Sequence, residues 1–139
     1  MLGGICGHAG LFSNANDLAK MMQMYLNYGT YGGKRFIDSS TVAEFTSCQF
    51  CENENRRGLG FDRPMEEPDS GPASNSASEK SYGHSGFTGT IVWLDPEYDL
   101  LYIFLSNRIH PDQYNVKLVT ENIRTDIQEI IYHSITDKE

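Results

Sequence analysis

Apolar residues recur at Leu18, Met21, Met22, Tyr25 and Leu26, the i, i+3, i+4, i+7, i+8 spacing of one helical face. Ser13 or Asn14 suits the N-cap, Asp17 the first turn and Gly29 the stop, so a helix is predicted between them. "YGGKRFID" gives a Gly-Gly turn and a short extended piece. "DSSTVAEFTSC" predicts a second helix, capped by Asp38, Ser39 or Ser40, with Val42 and Phe45 facing inward. "RRGLGFD" reads as a short strand weakened by two glycines. Two apolar runs, "GTIVWLD" and "DLLYIFLSN", are joined by "PEYD" and predict a β-hairpin. Both runs are nearly continuous, which is the pattern of central strands covered on two faces. The last third predicts one long helix, "YNVKLVTENIRTDIQEIIYHSI". Its seam is Val116, Val119, Ile123, Ile127, Ile130 and Ile131, a lid for one face of the hairpin. The fold class that follows is α/β in layers (α+β): an antiparallel sheet with a central hairpin, covered by helices.

Residues 63–80, "RPMEEPDSGPASNSASEK", break the pattern. They are polar and rich in Pro, Ser, Gly and Glu, and read as one long surface loop within a single domain spanning 1–139. With 139 residues the chain has the length of one domain. Its net charge of −8 argues against nucleic acid or an anionic membrane as the main partner. No apolar run has the length of a membrane span. The opening "MLGGICGHAG" has neither the basic region nor the apolar stretch of a signal peptide. It starts as if inside a folded loop, so Met1 is expected to be an internal methionine or an artificial start. Three cysteines make a disulfide framework unexpected. The lone C-x-x-C at Cys48 and Cys51 lacks the second pair that a zinc site wants, and follows a helix rather than opening one as a redox motif does. No metal is expected.

The remaining candidate chemistry lies directly before the first hairpin strand, in "YGHSGFTGT". As a nucleophile elbow, G-x-S-x-G, it fails because Phe87 stands at the last position and a strand, not a helix, follows. As plain structure, its glycines would mark a bulge or a close backbone approach.

Two stretches together change that choice. "GGICGHAGLFSNANDLAKMMQMYLN" and "YGHSGFTGTIVWLDPEYDLLYIFLSNRIHP" closely resemble the C-terminal part of the serine β-lactamase and penicillin-binding-protein-like superfamily, in its class C-like and esterase-like branch. The resemblance covers nearly the whole chain and implies a partial β-lactamase/transpeptidase-like fold. Its site is built from S-x-x-K, from Y-x-N or S-x-N, and from K-T-G, often H-x-G, on an inner strand. His84, Ser85 and Gly86 match the third motif. The resemblance gives His84 a role in orienting a substrate carboxylate or a tyrosine base, or in lending positive charge at low pH. Ser85 and Gly86 bind substrate, and Gly86, lacking Cβ, lets it approach. The backbone N–H of Phe87 becomes an oxyanion donor.

No lysine has a serine three positions before it, so S-x-x-K is absent. Tyr25-Leu26-Asn27 matches Y-x-N only as a string, on the apolar face of a predicted helix. The nucleophile is therefore expected upstream of Met1, and the chain alone is expected to be inactive. The implied parent is a serine hydrolase acting on a β-lactam, a peptidoglycan peptide or an ester, without a cofactor, in the periplasm or cell envelope. The alternatives are a non-catalytic ligand- or partner-binding remnant and a zinc or redox module at Cys48 and Cys51. A half-domain should leave an open sheet edge and bare apolar faces, with Leu18, Met22, Tyr25 and the strand 90–94 exposed and homo-oligomers as the result.

Overall fold

The computed structural model describes residues 3–4, 6–8, 10–53 and 55–136. Helix α1 (Ala15–Leu26) is capped by Asn14, whose side chain accepts from the Asp17 N–H. The chain leaves it through Gly29 at φ +88°, where a Cβ would stand 2.0 Å from the Ile37 carbonyl oxygen. Strands β1 (Thr30–Tyr31) and β2 (Lys34–Arg35) then form a small hairpin across the Gly-Gly turn. Helix α2 (Ser39–Thr46) follows. It buries Val42 and Thr46, not Phe45, which is exposed: the helix is short, and its inward stripe continues to the threonine hydroxyl, which donates to the Val42 carbonyl.

The central sheet is β3 (Tyr82–Ser85), β4 (Ile91–Asp95) and β5 (Leu100–Phe104), antiparallel and in sequence order. Period-two alternation splits its side chains between two faces. On one face Tyr82 and Leu94 pack with Met22 and Leu26 of α1. On the other, Ile91, Trp93 and Tyr102 pack with Ala73 and Ile131. The hairpin is covered on both faces, as its unbroken apolar runs predict. It follows that Met22 and the strand 90–94, expected to be bare, are covered, Leu18 and Tyr25 are half-covered, and only Met21 of the α1 stripe is exposed.

Three further expectations need correction. The C-terminal helix is two helices, α3 (Lys117–Thr120) and α4 (Ile123–Thr136), divided at Asn122, whose φ of +50° no helix continues through. α4 turns Gln128 and Tyr132 inward together with Ile131 of the predicted seam, while Val116, Val119, Ile127 and Ile130 are exposed. "RRGLGFD" is not a strand. It is a tight turn, with Gly58 N–H on the Phe61 carbonyl, and its backbone pairs with the sheet where Asp62 meets Gly83. Cys48 and Cys51 form a disulfide.

Residues 63–80 contain no helix or strand, and their outer part is exposed, but Ala73 and Ser74 are buried. Backbone and hydroxyl groups replace apolar side chains as the fastening. The Ser74 N–H donates to Gln128 and the Ser76 N–H to Glu129. Ser78 donates through both N–H and O–H to Asp95. Asp95, fully buried at the end of β4, also accepts from the Tyr132 hydroxyl at 2.7 Å and the Glu97 N–H. Four donors thus satisfy a carboxylate with no exposure to water, the condition under which a buried charge is tolerable.

Candidate functional site

β3 pairs with β4 through Tyr82↔Leu94, Gly83↔Trp93, His84↔Val92 and Ser85↔Ile91. Beyond the strand, the Gly86 N–H donates to the Thr90 carbonyl at 2.8 Å. Hydrogen-bonded and non-bonded pairs alternate along an antiparallel ladder. Since the bonds to β4 fall at the even positions, the N–H and C=O groups of the odd residues point to the outer edge. Gly83 proves the phase: its N–H and C=O are both taken by Asp62, at 3.0 and 2.7 Å. Two residues on, the covering segment has left the strand. No described strand pairs with the edge from Ser85 to Phe87: the Ser85 carbonyl meets the His84 ring, and no described residue accepts from the Phe87 N–H.

Gly83 has no alternative. A Cβ there would lie 2.2 Å from the Val92 oxygen and 2.5 Å from the Trp93 ring. At Gly86 the space a Cβ would fill is already held by the Thr90 hydroxyl, 2.7 Å away, so this glycine also serves the hairpin's closure. That closure is a turn in which the Gly89 N–H donates to the Gly86 carbonyl at 2.9 Å. It is pinned from outside by the Arg108 N–H and Ser106 hydroxyl on the Thr88 carbonyl and by Arg124 on the Gly89 carbonyl. The Phe87 side chain projects into solvent, with the Arg108 guanidinium 4.7 Å over its ring.

The structure places the four predicted residues in one stretch but not on one face. His84 shares the face of Val92, and Ser85 that of Ile91. Ser85, half-buried, lines a cleft of about 340 Å³ between β3 and the start of the 63–80 segment. Arg56, Arg57 and Arg63 line the same cleft against one acid, Asp62. Arg57 Nη2 lies 3.1 Å from Asp62 Oδ1 and 3.2 Å from His84 Nε2, while His84 Nδ1 lies 2.8 Å from the Ser85 carbonyl oxygen. Sequence reasoning missed Arg57 and Asp62. The available signal was the charged flank of "RRGLGFD", which reads as strand decoration until the turn folds it against β3. Tyr25 packs edge-on against Phe61, which in turn meets Tyr82, so it is a packing residue in an aromatic cluster. The disulfide joins the two sulfurs that a zinc reading needed as thiolates. Among the described residues no group of three or more His, Cys, Asp or Glu is placed to hold a metal ion.

Comparison with known proteins gives concordant results. The family described as Beta-lactamase matches residues 2–123. Proteins of Salmonella enteritidis and Salmonella typhi, each described as "Putative D-alanyl-D-alanine carboxypeptidase", are 38% identical over 117 residues. The match covers 84% of this chain and 27% of theirs, so the chain spans about a quarter of the length of these curated relatives. A solved β-lactamase (Mb2281c) from Mycobacterium bovis superposes with a TM-score of 0.62 at 23% identity, over 86% of this chain and 44% of that one, and shares the fold.

Proposed function

Because the chain belongs to the Beta-lactamase family, we propose that it forms the H-x-G wall of a serine acyl-transfer site whose substrate is a D-alanyl-terminated peptide of the cell wall. The observation that carries the reading is the exposed edge of β3. Asp62 seals Gly83, the ladder's phase aims the Ser85 backbone outward, and the Phe87 N–H, in the turn just past the strand, has no acceptor among the described residues. A fixed, unspent N–H on a rigid central sheet is the preorganised donor that stabilises a developing oxyanion. The Salmonella relatives' description favours a peptide over a β-lactam or ester. A cell-envelope setting accords with it, as does a disulfide, which persists in oxidising compartments.

In this reading the S-x-x-K serine comes from sequence outside these 139 residues. An unactivated serine such as Ser85 is a poor nucleophile. The test is D-alanine release from an N-acylated L-lysyl-D-alanyl-D-alanine peptide by the gene product with all coding sequence preceding residue 1. Release is expected there and not from the 139-residue chain alone. Turnover by the short chain that vanishes in Ser85→Ala contradicts the assignment. The lack of S-x-x-K in the chain favours one second reading, a non-catalytic remnant that binds the peptide. That reading predicts binding without release by the longer product.

A further inference from the structure

Arginine carries only donors. The 3.2 Å contact from Arg57 Nη2 therefore makes His84 Nε2 an acceptor, and the ring proton sits on Nδ1, where the Ser85 carbonyl accepts it. Both ring nitrogens are thus committed to partners. Protonating Nε2 would set two N–H groups against each other.

A cation is nevertheless present. The cleft beside Ser85 gathers three arginines against one aspartate, in a chain whose net charge is −8. Two of the three are spent on structure. Arg56 donates to the Pro64 carbonyl and to Glu66, and Arg63 to the carbonyls of Thr46 and Glu79. Arg57 is half-exposed, and its contacts to Asp62 and His84 both use Nη2. No described residue engages its Nε or Nη1. With both Nη2 hydrogens spent, the Nε–H and Nη1–H groups remain, each able to donate a single charge-assisted hydrogen bond to a carboxylate.

We propose that Arg57, and not His84, is the cationic group of this site: its guanidinium receives a substrate carboxylate while holding His84 as the neutral Nδ1–H tautomer. That the carboxylate is the terminus of a D-alanyl peptide rests on the proposed function; that the cleft takes a carboxylate beside a neutral His84 does not. Asp62 orients the guanidinium from behind, through its 3.1 Å contact and its own anchorage on Gly83.

The test uses the 139-residue chain labelled with ¹⁵N at histidine and arginine. Long-range ¹H–¹⁵N spectra should place the His84 proton on Nδ1. N-acetyl-D-alanine should shift the His84 and Arg57 signals at concentrations about ten-fold below those at which N-acetyl-D-alaninamide does. Arg57→Gln should abolish that acid preference and release His84 into a tautomer mixture. If that variant fails to fold, Arg57→Lys, which keeps the charge but loses the fixed planar donors and the contact that holds His84, should weaken acid binding several-fold. A dominant Nε2–H tautomer in the wild type, equal binding of acid and amide, or an acid preference that survives in Arg57→Gln or is undiminished in Arg57→Lys overturns the proposal. None of these signals needs turnover, so a failure of D-alanine release beside intact signals counts against the proposed function alone.

Discussion

Outside the site, the buried Tyr132 hydroxyl donates to Asp95 at 2.7 Å. Burial, and then the bond to Asp95 and its charge, hold the Tyr132 phenol well above its usual range. Tyr132→Phe keeps the ring's packing against Tyr98 but removes one of four donors to a buried carboxylate. It should cost about 1–3 kcal/mol, read as a fall in thermal midpoint; an unchanged midpoint would mean that water replaces the hydroxyl. Glu129 carries a pH dependence. Burial pushes its carboxyl up, but hydrogen bonds from Ser76 and the charge of His133 outweigh this and leave it below the usual range. A depressed folded-state pKa contributes stability that is present above the unfolded value, roughly 4.3, and lost as pH falls through the folded value. Denaturant titrations between about pH 6 and 3 should show Glu129→Gln less stable at the upper end and converging with wild type at the lower. Parallel curves would contradict the assignment.

At the level of elements, the glycines of β3 are the rigid part of the design. Gly83→Ala would drive a methyl into the Val92 carbonyl and the Trp93 ring. Overpacking against backbone should cost about 3 kcal/mol or more, seen as loss of the cooperative unfolding transition or a large drop in its midpoint. A neutral result would mean that the sheet yields there. What the sequence revealed of these elements follows from where the stabilising groups lie. α1 and the β4–β5 hairpin carry their burial in apolar side chains, so periodicity exposes them. Residues 63–80 carry theirs in serine hydroxyls and backbone amides aimed at Asp95, Gln128 and Glu129, which look like loop composition until α4 is in place. The same holds for the lid. Its apolar seam advertised Ile127 and Ile130, yet the polar Gln128 and the aromatic Tyr132 face inward because they answer that serine-rich segment. His84 to Phe87 were visible as a motif. Arg57 was not, because it reaches His84 across 27 residues through a turn whose geometry no local pattern encodes.

For the whole molecule, the described residues leave β5 paired on one side only and Val116, Val119, Ile127 and Ile130 exposed. Open edges and apolar surface favour association. Sedimentation velocity of the 139-residue chain at micromolar concentration should therefore reveal dimers or larger species, and a clean monomer would show the sheet to be self-sufficient. The central claim is that the β3 edge presents the Phe87 N–H to a reacting carbonyl. Phe87 is the second residue of the turn closed by Gly86 and Gly89, a position that accepts proline. Phe87→Pro therefore deletes the one N–H and spares the fold. In a protein that joins this chain to an S-x-x-K segment and shows the proposed D-alanine release, at matched thermal midpoint, it should lower kcat by about 10²–10³-fold, whereas Phe87→Ala, which keeps the N–H, should lower it far less. Equal rates for the proline variant and the wild type would contradict the account.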